Sequence, residues 1–294
     1  SSVDKACLML GLGLANLRKI PVDEAFALRP EALAQAVAAD RAAGRRPCAV
    51  VATVGTTSTT SIDPVPAIAE LCRREGLWLH VDAAYGGAAA LLPERREVLA
   101  GVDLADSLVV NPHKWLLVPM DCSALYLRDP ARLKAAFSLT PAYLSTPEAG
   151  AATNYMDWGV QLGRRFRALK LWMVLSHYGR QGLAAIIAEH CRLDRALADR
   201  IDAAPDWERL APVPFSTVVF RHVPAGLGGQ EPVLAAHNAR LLEAVNRQGE
   251  VFLSHTVLGD RYALRVAIGN AGTGEAEIAR CWELLQAAAA GLAV

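Results

Sequence analysis

Apolar runs broken by short polar or glycine-rich stretches set the pattern of this chain. Pro47 to Thr53 is apolar and β-branched and reads as a strand. Trp78-Leu79-His80-Val81-Asp82 and Asp106 to Val110 read the same way, and each runs into a turn of small or polar residues. Helical spacing lies between them. Pro30 opens an Ala-rich amphipathic helix to about Ala43, with proline in its first turn. A second helix, from Pro64 to about Glu75, puts Ile68, Leu71 and Cys72 on one face, and Asp63 just ahead of it reads as its cap.

The rest of the chain is read by the same rules. A helical pattern runs from the start to about Leu14, with Gly11 and Gly13 marking its end. Gly11-Leu12-Gly13 is not a dinucleotide fingerprint, because no strand precedes it. Arg18 to Phe26 reads as a short strand and turn, Pro93 to Leu99 as a short helix, and Cys122 to Leu127 as a strand. Leu139 to Tyr155 is polar and rich in small residues, the composition of an exposed, mobile loop of the kind that serves as a lid. Gly163 to Ile201 reads as one long helix broken near Gly179 or Gly182. Its opening cluster of Arg164, Arg165, Arg167 and Lys170 reads as a solvated or ion-paired face. Beyond it, strand patterns (Ser216–Arg221, Tyr262–Ile268) alternate with helical ones (Pro232–Gln248, Gly274–Ala290), and Arg265 on the later strand reads as structural.

Composition narrows the function classes. The 294 residues are 53% hydrophobic and 20% charged, enough for one large or two ordinary domains with a substantial core. Thirty basic and thirty acidic residues leave no basic stripe, which argues against nucleic acid as a partner. No apolar run reaches the length of a membrane span and no signal peptide is evident, so the expected location is the cytoplasm. The six cysteines form no CxxC pair and read as reduced thiols rather than a disulfide framework or a zinc site.

Two charges stand out against apolar surroundings. Lys114 is the only formally charged residue between Leu108 and Met120. Such a lysine either snorkels to water or does chemistry, and burial would lower its pKa toward that of an imine-forming amine. Asp82 is the only formal charge between Gly76 and Pro93, and His80, two residues earlier, shares its strand face. A carboxylate at a strand end is often a turn former, and a lone histidine is often a satisfied core residue. A buried Asp and a buried Lys on successive strand ends together point to pyridoxal 5'-phosphate. The lysine would hold its aldehyde, and the carboxylate would keep its pyridine nitrogen protonated.

His80-Val81-Asp82-Ala83-Ala84-Tyr85-Gly86-Gly87 followed by Asn111-Pro112-His113-Lys114-Trp115 resembles the group II pyridoxal-phosphate decarboxylases, the aromatic-L-amino-acid decarboxylase family. The opening SSVDKA, ATVGTTSTTSID, DCSALY, the TPAYL loop and LGRRFRALK extend the resemblance over essentially the whole chain. It implies a fold-type-I α/β architecture: a mixed, mostly parallel sheet with flanking helices, the 122–127 strand antiparallel, and a small C-terminal α/β domain. Residues 1–176 would be the C-terminal part of the large cofactor-binding domain and 177–294 the small one. It also implies that the chain opens inside the family's catalytic domain. The segment normally ahead of it supplies a cofactor-stacking histidine and much of the phosphate cup and substrate pocket, so a fragment or truncated product is expected.

By the same resemblance, Lys114 carries the cofactor, Asp82 meets its ring nitrogen and Thr57 its ring-oxygen side. Ala84 packs on the ring, although a small residue there also suits close helix packing. Asn111 and His113 help to anchor the phosphate, which suits amide and imidazole donors. Tyr143 matches the catalytic loop tyrosine, a proton donor, where related aldehyde synthases tend to carry Phe. Histidine-specific relatives tend to carry Ser at Gly163. Catalytic roles thus fall on Lys114, Tyr143 and, as a tuning group beside Asp82, His80. The implied reaction is decarboxylation of an L-amino acid, aromatic by preference, in a homodimer. An aldehyde synthase, a decarboxylase of a non-aromatic acid, and an inactive partner-binding remnant are the alternatives.

Overall fold

A computed structural model describes residues 2–139 and 153–292. Two four-stranded sheets organise it. The first has the order β1 (Ala49–Thr53), β2 (Trp78–Asp82), β3 (Ser107–Val110), β4 (Ala124–Leu127). The β1–β2 and β2–β3 pairs are parallel and β3–β4 is antiparallel. Parallel strands need crossovers, and α3 (Val65–Glu75) supplies the one from β1 to β2. Its Ile68, Leu71 and Cys72 are buried, as their spacing predicts, in one core with Leu79 and Val81 of β2. Gly76 closes the helix in the left-handed conformation (φ 64°), where glycine pays no Cβ penalty. Helix α2 (Pro30–Ala42) packs on the same core through Leu33 and Val37.

The second sheet is antiparallel throughout, in the order β5 (Trp207–Arg209), β6 (Thr217–His222), β8 (Arg261–Ala267), β7 (Ser254–Leu258). Every residue of β6 is buried. Helices α6 (Glu231–Asn246) and α7 (Glu275–Gly291) share its core. The long α5 (Arg167–Ala203) leaves helical geometry at Gly179 (φ 63°), one of the two glycines where a break is expected. Past that break α5 serves both cores. Ile187 and Cys191 join the first, and Leu193, Leu197 and Ile201 the second.

Several expectations are corrected. The first helix, α1, covers only Ser2–Met9, and Gly11 (φ 71°) and Gly13 (φ 76°) follow it in left-handed turns. Arg18 to Phe26 is not a strand. It contributes a single bridge, Val22 to Leu28, because Pro21 has no N–H and the Asp23 carboxylate takes the amides of Ala25 and Ala27. Asp63 does not cap α3. Its carboxylate accepts from the Leu28 amide at 2.8 Å and the Thr53 amide at 2.7 Å, stapling the 22–28 turn to β1, while Pro64 stands at the cap position. Helix α4 (Pro130–Phe137) and the edge strands β5 and β7 are additions to the pattern read from the sequence. All six cysteines are free. Among the described residues no helix is long and apolar enough to cross a membrane.

Candidate active site

The ends of β2 and β3 bring the two distinctive charges into neighbouring segments. Asp82 is the Cα partner of Val109, and just beyond the strands the Asn111 amide donates to the Ala84 carbonyl at 3.1 Å. Lys114 follows in a tight turn, its amide donating to the Asn111 carbonyl at 2.9 Å. That turn is closed by Val118 N–H to Pro112 C=O and by His113 N–H to Cys122 C=O, with Leu117 held in the left-handed region (φ 61°). A bulky residue with positive φ marks a backbone fixed by its surroundings.

Backbone crowding explains the glycines of this region. A Cβ on Gly86 would lie 2.6 Å from the Val54 carbonyl oxygen and 2.9 Å from Phe215 Cε2. One on Gly55, at φ 87°, would lie 2.8 Å from the Gly86 nitrogen. The loop after β1 and the turn after β2 are therefore packed main chain against main chain.

Side chains fall into two groups. The first is committed to partners. His80 Nδ1 lies 2.8 Å from Ser107 Oγ, which also accepts from Trp78 Nε1 at 2.9 Å. Burial pulls the His80 pKa down, against the opposing pull of Asp82. His80, Trp78 and Asp82 share the half-buried face of β2, as period-two alternation predicts. His113 Nδ1 accepts from the Cys122 amide at 3.0 Å and lies 2.5 Å from the Cys122 carbonyl, which pins the ring at Nδ1 and leaves Nε2 free for a ligand. Asn111 Oδ1 accepts from Ser123 Oγ at 2.6 Å, which leaves its NH₂ donors.

The second group faces outward. Asp82 Oδ1 accepts from the Ala84 amide at 3.0 Å. That bond fixes the carboxylate and leaves Oδ2 for another donor. Ala84 is buried, while Thr57 is exposed at the rim of a loop held by its neighbours: Thr56 bonds Thr59 and Ser61, and Ser58 accepts from Thr256 of β7. Lys114 is exposed, not buried as its apolar neighbours suggest. The physical reason is its place past the strand end, in a turn where Trp115 takes the inward position at 1% exposure. Tyr143 lies outside the described residues. Cavities of about 270 Å³ (Ala136 to Leu162) and 220 Å³ (Val102 to Arg128) contain neither Asp82 nor Lys114. Neither of these two cavities is the candidate site, whose amine is exposed.

Sequence reading missed the scaffold behind this face. Tyr85 stacks on Trp115 with ring centroids 4.7 Å apart and planes 7° from parallel, and Phe215 meets both edge-on. Tyr85 lies in a motif already singled out, but its partners are far away in sequence and carry no local signal.

The family model for the pyridoxal-dependent decarboxylase conserved domain matches residues 1–223. The chain belongs to the pyridoxal-dependent decarboxylase family. It is 43% identical over 292 residues to the aromatic-L-amino-acid decarboxylase of Bos taurus, covering 99% of this chain and 58% of that protein. It is 40% identical over 290 residues to the phenylacetaldehyde synthase of Arabidopsis thaliana, covering 97% of this chain and 59% of the relative. The crystal structure of Oryza sativa TDC with PLP and tryptamine superposes with a TM-score of 0.93 at 38% identity, over 99% of this chain and 60% of that one. The chain thus spans about three-fifths of the length of these relatives.

The cofactor of this family of decarboxylases is pyridoxal 5'-phosphate, and the donor set fits it. An exposed primary amine, a fixed carboxylate with one oxygen free, an imidazole held at Nδ1 and free at Nε2, and an amide with free N–H donors lie on adjoining segments. Ala84 presents no bulk to a flat ring.

Proposed function

We propose that this chain carries the cofactor-holding face of an enzyme that decarboxylates an L-amino acid, aromatic by preference, to its amine and CO₂. What supports the reading is that the segments leaving the paired strands β2 and β3 run side by side, one carrying an anchored carboxylate, Asp82, and the other an accessible amine, Lys114. When bound, the cofactor supplies an aldehyde for covalent capture of amines and a ring that accepts the electron pair left by the departing carboxylate.

This chain's own residues do the rest. Lys114 offers the amine that holds the cofactor and yields its place to the substrate amine. Asp82 holds a proton on the ring nitrogen through a charge-assisted hydrogen bond, worth roughly 1.5–3 kcal/mol as a static interaction. His113 and Asn111 donate to the phosphate, Thr57 to the ring-oxygen side, and Ala84 gives the ring a flat floor. His80, kept neutral by burial, tunes the face it shares with Asp82. Tyr143 delivers the proton to the substrate carbon after CO₂ has left. The same reading takes residues 1–176 as part of the large domain and 177–294 as the small one, and it expects a cytoplasmic homodimer.

The likeness to a phenylacetaldehyde synthase gives a second reading, in which dioxygen is consumed and the products are an aldehyde, CO₂, ammonia and hydrogen peroxide, and against it stands Tyr143, by the resemblance described above. Product analysis with aromatic L-amino acids separates the two. Amine and CO₂ without aldehyde support the proposal, and aldehyde with ammonia overturns it.

A further inference from the structure

Two hydrogen-bonded chains run from the candidate site into the C-terminal half of the molecule and end two residues apart. The first starts at Tyr85, three residues past Asp82. Its hydroxyl bonds Ser216 Oγ, and Ser216 Oγ gives its one hydrogen to the Ile268 carbonyl at 2.9 Å. Tyr85 is therefore the donor. Burial keeps its phenol neutral by pushing its pKa well up. The second chain starts at Trp115, next to Lys114. An indole N–H only donates, so Nε1 gives its hydrogen to His190 Nδ1 at 3.0 Å. His190 then carries its proton on Nε2 and donates to the Asn270 carbonyl at 3.0 Å. Burial holds that imidazole neutral by lowering its pKa.

Both chains end on the segment that leaves β8, and this segment is itself fixed. Ile268 N–H bonds the Ser216 carbonyl at 3.0 Å, and Asn270 Oδ1 accepts from Gly272 N–H at 2.8 Å. The rings at the near ends are stacked on each other. The segments that carry Asp82 and Lys114 thus run into one stacked aromatic pair, and that pair is tied at both edges to residues 268–270.

We infer that Tyr85 and Trp115 are positioning residues, and that the segment Ile268–Asn270 acts through them to fix Asp82 relative to Lys114. The inference rests on the proposed function for its catalytic meaning but not for its mechanics. A buried bond of this kind is worth about tenfold in a local equilibrium.

The test uses Tyr85→Phe and Trp115→Phe, which keep an aromatic ring and delete the donors, and Ser216→Ala, which removes an acceptor from the far side. Two readouts are taken. In cofactor-free protein, amide hydrogen exchange over residues 83–87 and 111–117 is expected to speed up about tenfold in each variant, with the amides of β6 and β8 unchanged. In protein titrated with pyridoxal 5'-phosphate, the variants are expected to bind about tenfold more weakly, with a shifted visible absorbance band. Exchange in the two segments at the wild-type rate in all three variants overturns the inference, as does an equal rise throughout β6 and β8, which is ordinary destabilisation. If the exchange result holds but wild-type protein develops no visible band, the proposed function fails and the mechanical linkage stands.

Discussion

The two sheets use their polar groups differently. In the C-terminal sheet several charged groups are paired inside the core, although Thr217 Oγ1 on β6 and Arg265 Nε on β8 have no hydrogen-bond partner there among the described residues. The buried guanidinium of Arg221 on β6 is held between Glu208 at 2.7 Å and Glu231 at 2.6 Å, and His222 is bound to both His237 and Asp206. At the open end of the N-terminal sheet, Asp82, His113 and Asn111 are each fixed by one bond and keep donors or acceptors in reserve, and Lys114 stands exposed. The N-terminal face keeps its spare donors and acceptors at the surface, where a ligand can reach them, whereas the C-terminal sheet holds its charge pairs against the core.

Substitutions on either side should break that contrast cleanly. The largest effect is expected from Lys114→Ala. It should abolish the visible absorbance of lysine-bound cofactor and all turnover while leaving the unfolding midpoint in urea unchanged. Phe220→Ala should do the reverse. This fully buried side chain lies in the second core, and its truncation is expected to cost about 3–5 kcal/mol in urea unfolding without moving the absorbance band. Asp82→Asn should leave the lysine linkage intact but lower turnover by roughly tenfold to a hundredfold, read as kcat with little change in KM. Gly86→Ala sharpens the comparison, because its methyl meets the Val54 carbonyl and Phe215 beneath the site. A stability loss of about 1–3 kcal/mol is expected, together with weaker cofactor binding.

The smallest effect is a pH dependence. Burial lowers the pKa of His80, His190 and His237 in the folded state. The unfolded chain therefore binds more protons than the folded one just below the ordinary histidine value of about 6.5. Stability is expected to be flat above that value and to fall as pH drops from it toward the folded-state pKa values. Urea midpoints measured across this range check the sign.

Much of this was legible in the sequence, for definite reasons. The parallel strands β1 to β3 are short apolar runs bounded by turn residues, so their positions and the ends bearing Asp82 and Asn111 could be read directly. A break near Gly179 or Gly182 was readable because glycine is a weak point in a long helical pattern, but nothing in that pattern chose between the two. Exposure of Lys114 was not legible, since an isolated charge among apolar residues looks the same whether it faces inward or out. Strand β5 has only three residues and β7 is a half-exposed edge, so neither carries a strong pattern. The pairing of Trp115 with His190 and of Tyr85 with Ser216 was beyond reach for another reason. Hydrogen bonds between residues that distant in sequence leave no periodic trace.

The central claim is that the Asp82 and Lys114 segments form a single cofactor site. It is tested most directly by treating the protein with pyridoxal 5'-phosphate, reducing it with borohydride and mapping the modified peptide. A single label on Lys114, with its yield lowered in Asp82→Asn, is the predicted result. Labelling spread over other lysines, or no label on Lys114, would contradict the account.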